Sequence, residues 1–247
     1  MPPRKKKEPP SRDDEEDAKP IKIENMYEKI PKELLDNADN PNYDLHKLKL
    51  PFRMCVVAPS GSGKTNFVLN LLAIFSRGRG SFASVDIITR NKDEPLYKWL
   101  VLKCDQINIK EGMEAIPPLD KMDKEINHLV IFDDLVLAKD QSRIENYYIR
   151  ARKLNCSVIY LSQSYYRIPK IIRSNCNYMC ILKLSGNREV KMILSEFGLG
   201  VSKEELLRLY TEATAEKFQP LIIDMDEEAP KRFRKGLQTI MEVKLDA

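Results

Sequence analysis

The residues best equipped for chemistry lie together in Ala58-Pro59-Ser60-Gly61-Ser62-Gly63-Lys64-Thr65-Asn66. An unbroken apolar run, Met54 to Val57, leads into them, and a helix-forming stretch follows. Gly61 and Gly63 let the backbone turn tightly, so that its N–H groups converge on phosphate oxygens. Lys64 brings a point charge to the β- and γ-phosphates, and the Thr65 hydroxyl is a ligand for Mg²⁺. A helix starting at Lys64 directs its N-terminal partial positive charge at the same phosphates. This is the G-x-x-x-x-G-K-[ST] pattern of a P-loop, with Ala58 in place of the first glycine. A methyl group fits there if residue 58 keeps a negative φ. Pro59 to Asn66 is therefore the expected nucleotide-binding loop, with Lys64 also acting on the reacting phosphate.

Three further groups can join this loop. Asn127-His128-Leu129-Val130-Ile131-Phe132-Asp133-Asp134 is an apolar strand ending in an acidic pair, the Walker B pattern. Asp133 is expected to hold Mg²⁺ beside Thr65, and Asp134 to polarise the attacking water. Asp134 is one methylene shorter than the usual Glu, so either the geometry adapts or another acid assists. Val158-Ile159-Tyr160-Leu161 ends in Ser162-Gln163. A strand beside the P-loop strand ends next to the γ-phosphate, where the Gln163 amide can sense the phosphate or orient water. Arg150 and Arg152 precede that strand and Arg173 follows it. A guanidinium stabilises charge on a transferring phosphoryl group, although each of these arginines reads equally well as a solvated surface charge. Asn91-Lys92-Asp93-Glu94 is similar to the guanine-reading N-K-x-D pattern. It has Glu at the fourth place and lies before the Walker B strand, so GTP specificity is not expected.

The elements that must position these groups alternate. Strands are expected at Met54–Val57, Ser84–Thr89, Ile107–Ile109, Leu129–Phe132, Ser157–Leu161, Tyr178–Leu184 and Leu221–Asp224. Helices are expected at Lys64–Phe75, Pro95–Leu102, Gln141–Leu154, Pro169–Ser174, Arg188–Phe197 and Lys203–Thr214. Ser202-x-x-Glu205 is a capping box for the last of these. Trp99, the only tryptophan, reads as a core anchor. Apolar strands alternating with helices predict an α/β fold with a mainly parallel central sheet flanked by helices on both faces.

Four segments follow from composition: a charged disordered tail (1–20), an arm or short helical segment (21–51, with a helix at Pro31–Asn37), the P-loop domain (52–228), and a basic C-terminal tail (229–247). The first tail sets Arg4-Lys5-Lys6-Lys7 before Asp13-Asp14-Glu15-Glu16-Asp17 and has too little apolar surface to order itself. It reads as a solvated tail, a nuclear-targeting patch or a DNA-touching arm. Within 247 residues, 43% hydrophobic content supports a sizeable core. The net charge is only +4, so any basic face is local. No apolar run approaches the roughly 20 residues of a membrane span, so no membrane insertion is expected. Cys55, Cys104, Cys156, Cys176 and Cys180 contain no C-x-x-C and read as reduced thiols, mostly buried.

The run from Ala151 to Tyr166, then Ile168-Pro169-Lys170-Ile171-Ile172-Arg173-Ser174-Asn175, resembles the FtsK–HerA superfamily of DNA-pumping ATPases. The compact length, the Pro-Ser-Gly-Ser-Gly-Lys-Thr loop and Phe-Asp-Asp are most similar to the poxvirus-type genome-packaging ATPases of large DNA viruses and virophages. The likeness covers Phe52 to Leu184, and more loosely reaches Asp224. Lys153 departs from it, since relatives tend to have histidine there. The resemblance implies a RecA-like (ASCE) P-loop NTPase that hydrolyses ATP with Mg²⁺. It implies a homo-oligomeric ring, pentamer or hexamer, around double-stranded DNA, with ATP between subunits and Arg152 or Arg173 supplied in cis or in trans. Capsid or membrane components at a packaging vertex would be its partners. Its place would be the virus assembly site in the host cytoplasm or nucleus, or the virion. Arg77-Gly78-Arg79-Gly80 and Lys231 to Lys235 are the basic candidates for touching the phosphate backbone. Two other readings stay open on the residues alone: a P-loop nucleotide kinase, and a non-hydrolysing subunit in which ATP only holds an assembly together.

Overall fold

In the computed structural model, residues 24–31, 39–104, 106–198 and 200–244 are described. The tail expected over residues 1–20 lies outside them, as does the helix expected at Pro31–Asn37 beyond its first residue. Met26–Lys29 form a single 3₁₀ turn. Residues 38–247 form one unit. Its elements in chain order are α1 (Tyr43–His46), β1 (Arg53–Val57), α2 (Lys64–Phe75), β2 (Ser84–Thr89), α3 (Pro95–Val101), β3 (Ile107–Glu111), β4 (His128–Asp133), α4 (Ser142–Arg150), β5 (Cys156–Ser162), α5 (Lys170–Asn175), β6 (Tyr178–Ile181), α6 (Asn187–Phe197), α7 (Lys203–Ala213), β7 (Leu221–Asp224), β8 (Phe233–Lys235) and β9 (Thr239–Ile240).

The strands pair in the order β3-β2-β4-β5-β1-β6-β7-β8-β9. The first six are parallel and the last three join antiparallel. Successive side chains of a strand point to opposite faces, so the continuous apolar runs feed two cores. On one face Met54, Val56, Ile131, Ile159 and Leu161 pack with Phe67, Val68 and Leu71 of α2 and Tyr97 and Leu100 of α3. On the other, Cys55, Val57, Val130, Phe132 and Val158 pack with α4, α5, α6 and α7. Both layers of helices are thus held by burial of large side chains, each contributing about 1.5–3 kcal/mol. The expected sheet with helices on both faces is the observed one. One half of the expected capping box forms, with Ser202 Oγ accepting from the Glu205 N–H at 3.3 Å, while the Glu205 carboxylate turns to Arg208 and the Lys244 N–H instead.

Four expectations change. Residues 39–51 belong to the same body as the P-loop rather than to an arm. Asn42 Nδ2 donates to the Phe75 and Arg77 carbonyls at the end of α2, groups that a helix leaves unpaired, and Leu48 and Phe52 are fully buried beside it. The helix expected at Gln141–Leu154 stops at Arg150 and tightens into a 3₁₀ turn over Ala151–Leu154. Trp99 is exposed, because α3 turns Tyr97 and Leu100 to the sheet instead. The basic C-terminal tail is not a tail: β8 and β9 extend the sheet. Phe233 and Arg234 are buried, and Arg234 pairs with Asp224 at 3.2 Å and lies over the Tyr178 ring.

Candidate active site

The parallel register brings the predicted groups to one edge. Val57 lies opposite Ser162, and Leu161 opposite Asp133, so β1, β5 and β4 end side by side. The P-loop leaves β1, Gln163 leaves β5 and Asp134 leaves β4. β5 therefore separates the P-loop strand from the Walker B strand, and its end points between them.

Gly61 and Gly63 take φ of +76° and +95°, the left-handed turn that glycine allows at little cost. Ala58 is not among the positive-φ residues, and its methyl is buried in the core on the α2 face. That explains the substitution: the position needs no glycine. Among the described residues, no backbone carbonyl accepts from the N–H of Gly61, Gly63, Lys64 or Thr65. These donors gather at the start of a 12-residue helix and form a cradle fitted to phosphate. Lys64 Nζ donates to the carbonyls of Ala58 (2.8 Å) and Pro59 (3.2 Å). Burial pulls its ammonium below the ordinary value, while Asp133, Asp134 and Glu94 pull it back up.

Asp133 is buried at the end of β4. Burial raises its pKa to about 6; the hydrogen bond from Tyr97 opposes this, and the nearby Glu94 and Asp134 carboxylates add to it. Tyr97 Oη donates to Asp133 Oδ2 at 2.6 Å and also meets the Thr65 hydroxyl. One tyrosine thus ties together the two groups expected to hold Mg²⁺. A buried carboxylate beside a P-loop hydroxyl is a hard-oxygen pair suited to Mg²⁺, which keeps most of its waters. When bound, the metal supplies charge neutralisation of the phosphates.

Asp134 adopts φ +54°, a conformation that Asp tolerates better than most side chains. This turns its carboxylate toward Gln163, whose Nε2 donates to Oδ1 at 3.1 Å. An acid and an amide held together at the γ-phosphate end of a P-loop can position and polarise a water.

Two residues at this edge were not singled out from the sequence. Tyr97 reads there as one apolar residue among several, and Glu94 only as the odd fourth member of Asn91-Lys92-Asp93-Glu94. Glu94 caps α3, and its carbonyl accepts from the N–H of Tyr97 and Lys98. It acts on the charges of Lys64, Asp133 and Tyr97. It is a second carboxylate at this edge beside the short Asp134. The pairing of β2 with β4, Thr89 opposite Asp133, carries it there.

The arginines lie elsewhere. Arg152 precedes β5 and so sits at the opposite edge of the sheet, while Arg173 lies in α5, between β5 and β6. β5 has seven residues, about 20 Å at roughly 3.3 Å per residue, and this length separates Arg152 from the P-loop edge of its own chain. Arg173 is further committed: it pairs with Glu196 at 2.8 Å, stacks on Tyr165 at 4.6 Å and is only 15% exposed. Within this chain its guanidinium is held by that ion pair and by the ring of Tyr165. Arg152 is exposed beside Arg53, whose guanidinium is held below its ordinary value first by burial and then by the Arg152 charge.

The raised pKa of Asp133 has a consequence for stability. Its folded value of about 6 exceeds the unperturbed 3.8, so the fold prefers the protonated form. The associated stability is present below pH 4, is lost as pH rises through 6, and is absent at pH 7. Asp133→Asn is therefore expected to stabilise the Mg²⁺-free protein at pH 7 by about 2–3 kcal/mol, and to have no such effect near pH 4. Thermal melts with a chelator present at the two pH values measure this.

The fold and this edge define a P-loop NTPase with one strand between its two nucleotide-binding strands. More particularly, the chain belongs to the poxvirus A32 protein family, whose model matches residues 42–227. It is 30% identical over 195 residues to the DNA packaging protein OPG160 of vaccinia virus (strain Copenhagen), covering 73% of this chain and 71% of the relative. The corresponding monkeypox virus protein is also 30% identical, and the match spans 64% of its length. Among solved structures, the genome packaging NTPase B204 of Sulfolobus turreted icosahedral virus 2 superposes with a TM-score of 0.56 in its sulfate complex, at 13% identity, over 79% of this chain and all of B204. Its ATP-gammaS complex superposes at 0.54, with 14% identity, over 80% of this chain and 99% of B204. The likeness to poxvirus-type proteins read from the sequence is thereby borne out, and B204 shares the fold.

Proposed function

We propose that this chain is an ATPase motor subunit that drives double-stranded DNA into a preformed viral capsid. Its relatives carry the name DNA packaging protein, and a protein of the same fold is a packaging NTPase studied with an ATP analogue. The observation that carries the reading is the Gln163–Asp134 contact beside the phosphate cradle. A kinase needs to exclude water from that position, whereas this arrangement offers a base and an orienting amide to one. ATP and Mg²⁺ bind at Pro59 to Asn66, Thr65 and Asp133. Subunits form a ring, a pentamer or hexamer, at the packaging vertex of the assembling virus, against capsid or membrane components. No helix among the described residues is long and apolar enough to cross a membrane.

DNA would be gripped by its phosphates, which carry no sequence information. Of the two basic stretches weighed for this, Lys231 to Lys235 is largely engaged within the fold: Arg232 donates to the Glu227 carbonyl, Arg234 is buried, and Lys235 pairs with Glu216. Arg77-Gly78-Arg79-Gly80 keeps both guanidinium groups exposed, with Arg79 meeting Asp39 only at the surface. ATP hydrolysis by the assembled protein is expected to rise about tenfold on adding duplex DNA at low salt, and to lose most of that stimulation by about 0.3 M salt. Phosphate release that ignores DNA at low salt would remove the motor reading.

A further inference from the structure

Beside the phosphate cradle lies a feature that catalysis does not use. The loop from α7 to β7 turns at Glu216-Lys217-Phe218-Gln219, closed by a Gln219 N–H bond to the Glu216 carbonyl at 3.3 Å. Phe218 holds the third place of that turn with φ +69°. This conformation suits glycine in a type II turn and is an outlier for a bulky side chain. The ring is nevertheless 42% exposed, so it is not held there by burial. It rests against the P-loop: a Cβ on Gly63 would collide with Phe218 Cδ1. The loop is fixed from behind, with Lys235 bound to Glu216 and the Gly236 N–H bound to the Pro220 carbonyl at 2.9 Å.

Next to the ring is an open groove of about 670 Å³, within the usual size of a small-ligand site. It begins at Asn66, one residue past Thr65, and runs along the outer side of α2 past Asn70 to Gln219 and Gln238. A nucleotide whose phosphates lie on Gly61 to Thr65 must send its base out of the loop, and this groove opens at the loop's end. The exposed Lys217 ammonium stands 5.0 Å from the Phe218 ring centroid, a contact that the π-face of a base can replace.

We infer that Phe218 is the stacking platform for the nucleobase, and that the groove beyond Asn66 receives the base and sugar of the bound nucleoside triphosphate. Strain held by a fixed loop, exposure of a large ring and contact with the P-loop all have one explanation here. The ring is presented to a flat ligand at the mouth of the phosphate site. Stacking is tolerant of base identity, so purine triphosphates differ little in affinity.

The inference rests on nucleotide binding at the P-loop, and the test separates the two. ATP and inorganic tripolyphosphate are titrated calorimetrically, with Mg²⁺, into the wild-type protein and into Phe218→Gly. Glycine relieves the turn, so the variant should fold, with an unchanged or higher melting temperature. The expected result is an ATP Kd raised about tenfold, in line with base–aromatic stacking, and a tripolyphosphate Kd within twofold of wild type. Equal weakening of both ligands would make Phe218 a support for the P-loop and overturn the platform, as would no change in either. A wild-type protein that binds tripolyphosphate as tightly as ATP would also overturn it while leaving the phosphate site intact. Binding of neither ligand to wild type would remove the nucleotide reading itself.

Discussion

Asp134→Asn is expected to lower ATP turnover by about 100-fold or more, the range of general-base catalysis, while ATP affinity stays within about threefold. Asn keeps the shape of the side chain and tolerates φ +54° at this position. Its amide oxygen can still accept from Gln163 Nε2, so the edge of the sheet stays assembled. What is lost is the negative charge that draws a proton from water. Asp133 and Thr65, the expected Mg²⁺ groups, are untouched, which is why binding should persist. Phosphate release and ATP calorimetry on the same preparation measure both quantities. Glu94 makes the result more informative. It lies close enough to act on Lys64 and Asp133, and it has the longer side chain usual for the role. If it assists, Glu94→Gln added to Asp134→Asn removes most of the remaining turnover. If Asp134→Asn turns over ATP at the wild-type rate, Glu94 is the base and Asp134 only positions Gln163. A non-hydrolysing subunit would show low turnover before any substitution.

Much of this edge is legible in the sequence, and the reasons are physical. β1, β4 and β5 are buried along almost their whole length, so their apolar runs stand out; β1 runs into the glycine-bearing loop, and β4 and β5 end at Asp133 and beside Gln163. What remained hidden depends on packing between distant segments. α3 offers Leu96, Tyr97, Trp99 and Leu100, which define two apolar faces within seven residues. Only the contact of Tyr97 with Asp133, 36 positions away, decides which faces inward. β8 reads as solvated because three of its flanking and internal residues are cationic. Asp224 and the Tyr178 ring turn Arg234 into a buried partner instead. Nothing in one sequence joins Arg173 to Glu196, 23 positions away. Phe218 gives no signal at all, since an aromatic at a glycine-like φ is invisible in one sequence.

The position of Arg152 leads to the remaining large effect. It is exposed at the edge of the sheet opposite its own P-loop, so within one chain it touches no phosphate. A neighbouring subunit in a ring can bring that edge to the P-loop edge, and there a guanidinium would stabilise the charge of the transferring phosphoryl group. Arginine fingers of this kind contribute about 10³–10⁵ in rate. Arg152→Ala is therefore expected to lose about 1000-fold in ATP turnover without losing its fold, since the side chain is solvated and makes no ion pair among the described residues. Lys64→Ala is inactive for a different reason, because its own phosphate site is damaged. Mixing the two inactive proteins discriminates between roles. Where an Arg152→Ala subunit supplies the P-loop and a Lys64→Ala subunit supplies the arginine, one interface carries a complete site, and activity returns that neither protein has alone. A purely local role for Arg152 predicts no recovery at any mixing ratio. Recovery that rises with the proportion of mixed interfaces would place the arginine in trans and make the ring a condition of hydrolysis, because the sheet holds the two halves of each site on opposite edges.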